Sequence, residues 1–260
     1  MSLGTAPYVW ATGHVRLGGG DLLKLVPYAA LAIYPIAYIF GFSFNPTEFS
    51  WTFHHGFEPM PAEVRERAAK TRRFASFLGD TLVVGLIVFL LLKTSIQPTR
   101  VGLHLDDWKR NVIAGIVTGI LIVLVQGWMA AFTPADPEHP FTYAARRGSV
   151  LLWVSILLGG AFSEELWIVF CLVVLMTSGY STFVSVVMTL AVFAAVHYLY
   201  RFGVIAVFLK GAISAILFLW SGSLIPSFLY HFIGNLGSLY LARRIAEPGQ
   251  ARAHTAPHGV

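Results

Sequence analysis

Long apolar runs alternate with short polar joints along this chain, and the runs recur at the length a helix needs to cross a bilayer. They occupy residues 23–43, 75–93, 112–133, 149–177, 181–199, 203–220 and 224–242. A helix of about 20 apolar residues spans a hydrocarbon core roughly 30 Å thick, so the pattern predicts seven crossings. The fourth run exceeds one straight crossing and contains Gly159-Gly160 and Ser163 just ahead of a glutamate pair. Glycine weakens a helix interior, and a broken or tilted helix is tolerated in lipid only where it packs in protein or lines a wet cavity. An eighth, partial crossing is therefore compatible with the pattern, and either way the glutamates are expected near the middle of the run. The predicted fold class is all-α, a polytopic transmembrane helix bundle over residues 23–244. An N-terminal segment precedes it at 1–22, and a polar tail rich in Gly, Ala and Pro, expected to be disordered, follows at 245–260.

Composition separates a membrane bundle from a large soluble core. The chain is 56% hydrophobic and 12% charged, with mean hydropathy +0.69. That is about half the charged share of a soluble domain, which needs polar surface to cover its core. The single Cys171 excludes an internal disulfide, and an apolar setting disfavours its thiolate, so it reads as a small core residue. The chain has no internal repeat, dinucleotide fingerprint or phosphate loop. Its formal charge of +5 lies beside apolar segments, where lipid headgroups account for it and nucleic acid is not expected as a partner. Residues 1–20 lack a basic region leading into a short apolar stretch and cleavage site, so no removable signal peptide is expected and the first span stays in place.

The largest polar segment, 44–74, ends in a basic stretch in which Glu63 with Arg67 and Glu66 with Lys70 form i,i+4 pairs of favourable polarity. This predicts a basic juxtamembrane helix anchored on anionic headgroups. With seven crossings, Arg65, Arg67, Lys70, Arg72 and Arg73 fall on the same side as Arg243 and Arg244, which predicts a cytoplasmic C-terminus. An extra half-crossing in the fourth run would reverse that orientation.

Candidate chemistry sits on three of the runs. Glu164 and Glu165 lie between Ala161-Phe162 and Leu166-Trp167-Ile168. Ionisable groups are costly inside a bilayer, so their presence there points to a shared polar site. Adjacent helical residues point about 100° apart, so one glutamate can face a cavity while the other is held from the side. Phe193 and His197 stand one helical turn apart at the end of the fifth run, and His231 and Asn235 one turn apart in the seventh. Two hydrogen-bond donors stacked on one helix face can bind a developing oxyanion. The plainer readings are an interfacial histidine at 197 and an asparagine that glues helices together at 235.

The order Glu-Glu, Phe-x-x-x-His, His-x-x-x-Asn on three hydrophobic segments resembles the CPBP (Abi) family of intramembrane endopeptidases, which includes the type II CAAX prenyl endopeptidase. Val101-Gly102-Leu103 through Trp108-Lys109-Arg110 and Gly115, and Ser221-Gly222-Ser223-Leu224 with Pro226, fit the family's texture. The resemblance covers about 100–244 and is only one of general character over 23–100. It implies that Glu164 and His197 activate the attacking water, that His231 and Asn235 stabilise the oxyanion, and that Glu165 is a supporting carboxylate. The implied substrate is a peptide bond in a membrane-embedded or lipidated protein, and the implied location is a bacterial cytoplasmic membrane.

The chain departs from the family at Val169, where the motif Glu-Glu-x-x-x-Arg has its arginine. Position 169 is i+4 from Glu165, so Glu165 must be protonated, solvated or paired elsewhere. Lys210 and Arg201 are the candidate substitutes, with snorkelling to headgroups as the alternative for Lys210. A weakened relative that acts as a membrane scaffold for a protein partner is the competing function. No cofactor is expected. Zinc held by the glutamate and two histidines is a minor alternative, since no local His-Glu-x-x-His spacing is present.

Overall fold

The computed structural model describes residues 25–43, 47, 50, 54, 61–94, 96–132, 159–197 and 203–254. Among these residues there are seven principal helices and no strand. They are α1 (Val26–Ser43), α2 (Ala62–Lys93), α3 (Trp108–Phe132), α4 (Ala161–Thr177), α5 (Thr182–Val196), α6 (Gly203–Ser221) and α7 (Leu224–His254), with a 3-10 turn at Pro98–Val101 ahead of α3. One helix falls in each predicted run, and the all-α bundle is the observed class.

The helix bounds add detail to three of the predicted elements. The basic stretch after Ala62 and the second apolar run form one continuous helix of 32 residues, about 48 Å long, because neither glycine nor proline interrupts the junction near Phe74. α4 is described from Ala161, directly after π-wound Gly159-Gly160, and Glu164 stands in its first described turn. Residues 149–158 lie outside the described residues. Helical winding in α7 continues through His254, where a disordered tail is expected from residue 245. Residues 255–260 lie outside the described residues.

α4 forms the centre of the bundle, with α1, α2, α5, α6, α7 and the 3-10 turn packed around it. Every residue from Glu165 to Leu175 is buried. A helix that is apolar nearly all round belongs in a core, and a charged residue there needs a partner built for it. The outer helices show the opposite pattern. Phe74–Lys93, Trp108–Met129 and Val204–Ser221 are long and apolar enough to cross a membrane, and Val26–Gly41 and Thr182–Val196 are shorter apolar helices. Ile113, Val117, Ile120, Leu124 and Trp128 leave an apolar face of α3 uncovered, as expected where the surroundings are lipid.

α3 packs on α7, the helix that carries the second histidine. The approach is close enough that a Cβ at Gly115 would lie 2.8 Å from both Leu229 Cβ and the Pro226 carbonyl oxygen. Just upstream, Gly102 adopts φ +76 and its carbonyl accepts a hydrogen bond from Leu224 N at 3.1 Å. Nearby, His104 Nε2 donates to the Gly222 carbonyl at 2.9 Å, while its Nδ1 accepts from Asp106 N at 3.3 Å. The Arg110 guanidinium lies 4.6 Å from the Trp220 ring centre. The two stretches singled out by resemblance, 101–115 and 221–226, are therefore one clasp. Gly115→Ala is expected to lower stability by about 1–3 kcal/mol through overpacking, read as a fall in Tm in detergent. Since the clasp sets the height of α7, the same variant also displaces His231.

Candidate functional site

Three motif helices bring their polar residues to one place beside α4. α5 starts with Ser181 as N-cap, its side chain accepting from Val184 N at 3.3 Å, and ends with His197 as C-cap. The last turn of α5 positions the imidazole, because His197 Nδ1 donates to the Phe193 carbonyl at 2.7 Å. A carbonyl can only accept, so Nδ1 carries a hydrogen, and Nε2 is the ring nitrogen turned to Glu164, 3.9 Å from Oε1. Phe193 also packs its ring 4.6 Å from that of His197, centre to centre.

From the other side, His231 Nε2 lies 3.6 Å from Glu164 Oε2, so Glu164 stands between two imidazoles. His231 Nδ1 donates to Glu165 Oε1 at 2.6 Å, and Ser214 Oγ donates to the same oxygen at 2.8 Å. The two carboxylates divide as helical geometry predicts. Glu164 keeps 19% of its side chain exposed, whereas Glu165 keeps 1%. The first is reachable, and the second is a buried support for His231. Asn235, one turn beyond His231 on α7, is buried and its Oδ1 accepts from Lys210 Nζ at 2.6 Å.

Lys210, one of the two candidate substitutes for the missing arginine, hydrogen-bonds to Asn235 and not to Glu165. Glu165 is paired elsewhere, but its partners are His231 and Ser214 rather than Lys210. Lys210 turns inward to Asn235 rather than outward to headgroups, and Arg201 lies outside the described residues. Val169 is fully buried in the hydrophobic core, and Glu165 Oε2 has no hydrogen-bond partner. Cys171 is likewise buried, with its thiol 3.3 Å from the Ala30 carbonyl. Among the described residues, no group of three or more His, Cys, Asp and Glu side chains is arranged to hold a metal ion.

Two contributors come from the first hundred residues. Tyr34 of α1 stacks on Trp167 at 5.1 Å and on His197 at 6.1 Å between ring centres, and its hydroxyl interacts with Glu164. Asp80 of α2 accepts from Ser163 Oγ at 2.6 Å, immediately before the glutamate pair. Asp80 is an ionisable residue within an apolar run and was open to discovery on that ground alone. Tyr34 and Ser214 are ordinary residues of apolar helices, and nothing in the sequence distinguishes them.

Fold and site together define a class: a helical membrane protein with a carboxylate held between two imidazoles in its interior. Residues 146–237 match the family model described as type II CAAX prenyl endopeptidase Rce1-like, which supports membership of the CPBP family. The match spans Glu164 to Asn235 and implies CAAX-type intramembrane protease activity in general terms. No curated protein and no solved structure matches the chain.

Proposed function

We propose that this protein is an intramembrane endopeptidase that hydrolyses a peptide bond in a membrane-embedded or lipidated protein or peptide. The observation that carries this reading is the position of Glu164, with one oxygen 3.9 Å from His197 Nε2 and the other 3.6 Å from His231 Nε2. With His197 protonated on Nδ1 alone, Glu164 Oε1 and His197 Nε2 each accept one hydrogen from a water between them, which turns its lone pairs outward to the substrate carbonyl. As the water oxygen bonds to the carbonyl carbon, its proton passes to this pair. A base placed within reach of the reacting proton is the geometric requirement for general base catalysis.

On the opposite side, Glu165 holds His231 through Nδ1, and the donor for the carbonyl oxygen is the imidazolium form, in which Nε2 also carries a hydrogen. Asn235 has its oxygen occupied by Lys210, so its amide hydrogens are the groups left to donate. Two such donors preorganised in a site shielded from water stabilise a tetrahedral oxyanion. Collapse of the intermediate breaks the C–N bond, and the proton held by Glu164 and His197 moves to the leaving amine. Residence in a bacterial cytoplasmic membrane with the C-terminus in the cytoplasm completes the proposal.

The test is cleavage of prenylated and transmembrane reporter peptides by native membranes carrying the parent or Glu164→Ala. Cleavage that persists in the variant removes the mechanism. Val169 favours a second reading, a silent relative that holds a membrane partner, because losing one member of a coupled site commonly costs most of the activity. Stable co-purification with one membrane protein and no hydrolysis would favour it.

The two readings also differ on Val169→Arg. If Val169 silences the site, the variant gains turnover. We expect no gain and a lower Tm, because Glu165 already has His231 and Ser214, and the guanidinium must displace packed core residues at a position with 0% exposure.

A further inference from the structure

We propose that Lys210 is a positioning residue for the oxyanion side of the site, acting through Asn235. The inference rests on the hydrolase reading above and extends it to a helix that carries none of the motif residues. Lys210 and Ser214 stand one turn apart on α6, and each holds a motif residue: Lys210 Nζ donates to Asn235 Oδ1 at 2.6 Å and Ser214 Oγ donates to Glu165 Oε1 at 2.8 Å.

This face of α6 is itself fixed. Tyr230 Oη donates to the Lys210 carbonyl at 3.3 Å, and Ser227 Oγ donates to the Ser214 carbonyl at 3.0 Å, which ties α6 to α7 at two heights. On the far side Gly211 lies against α5, where a Cβ would come 2.7 Å from Leu190 Cδ2. Lys210 is thus held at a set distance from Asn235 by the packing of three helices.

The physical role follows from the asymmetry of a primary amide, which carries an acceptor on one side and two donors on the other. Rotation by 180° would turn Oδ1 towards the oxyanion and convert an attraction into a repulsion. An ammonium group on Oδ1 makes that rotation costly, because charge-assisted hydrogen bonds are about twice as strong as neutral ones. This effect acts on the transition state more than on bound substrate, so it appears in kcat and not in KM.

The test compares Lys210→Met and Lys210→Arg, each with Asn235 intact and with Asn235→Ala, in the full chain in membranes on a reporter peptide that the parent cleaves. Lys210→Met is expected to lower kcat about 100-fold, the scale of a misplaced catalytic group, with KM within about twofold. Lys210→Arg should restore most of the loss. With Asn235→Ala in place, Lys210→Met should cost nothing further. An equal loss in both backgrounds, or a loss confined to KM, would overturn the proposal. A parent that cleaves no reporter defeats the hydrolase reading separately. The coupling is then read from the Tm losses of the same variants in detergent, non-additive if Lys210 holds the amide and additive if it does not.

Discussion

Glu164→Gln is expected to cut peptide hydrolysis by about a thousandfold, inside the range that positioned general bases supply. Glutamine keeps the volume of the side chain and can still hydrogen-bond to a water, so the packing of α4 is retained while the proton acceptor is lost. The neighbouring imidazole does not compensate. Without the carboxylate 3.9 Å away, His197 Nε2 must orient the water and take its proton alone. The check is kcat on a reporter peptide together with Tm in the same detergent. A large fall in kcat with little change in Tm fits a residue that keeps 19% of its side chain exposed to the reaction space. Undiminished hydrolysis would assign the base elsewhere, with Asp80 the next carboxylate on the same side of the bundle.

The second large effect is expected at His231, and it should appear in stability as well as rate. His231→Leu removes the imidazole 2.6 Å from Glu165, leaving a carboxylate with 1% exposure supported by Ser214 alone. Breaking a buried pair from one side costs about 3–5 kcal/mol, because the remaining charge is uncompensated. Loss of the oxyanion donor should reduce kcat by about 10²–10³-fold in addition. Adding Glu165→Leu should return much of the stability, since an apolar pair of similar size replaces the ionic one, while activity stays low. Denaturant or thermal unfolding of the single and double variants in detergent distinguishes these outcomes. A single variant as stable as the parent would mean that Glu165 carries its own proton and needs no ionic partner.

The two carboxylates illustrate why neighbouring residues in a sequence can have unlike chemistry. Glu164 and Glu165 share a helix turn and a composition, yet α4 is central and presents its sides to different neighbours. Glu164, partly exposed, faces His197 and His231 Nε2, and Glu165 meets His231 Nδ1 and Ser214 in the core. Helical periodicity predicts that the two diverge, but which of them is buried depends on the helices that surround them.

The sequence by itself determined the helical class, the placement of one helix in each apolar run, and the one-turn spacing of His231 from Asn235 and of Phe193 from His197. These follow from local periodicities, which fix what lies on one helix face whatever surrounds it. It also located the glutamates and the departure at Val169. Only the tertiary structure decided what answers that departure. His231 and Ser214 reach Glu165 from helices 66 and 49 residues away in the chain, and Lys210 reaches Asn235 across 25. Tyr34 and Asp80 join the site from α1 and α2, beyond the stretch that resembles the family. Contacts of that range depend on how helices pack, and packing is set by side-chain shape and by close approaches such as that at Gly115, which a pattern of apolar and polar positions does not encode.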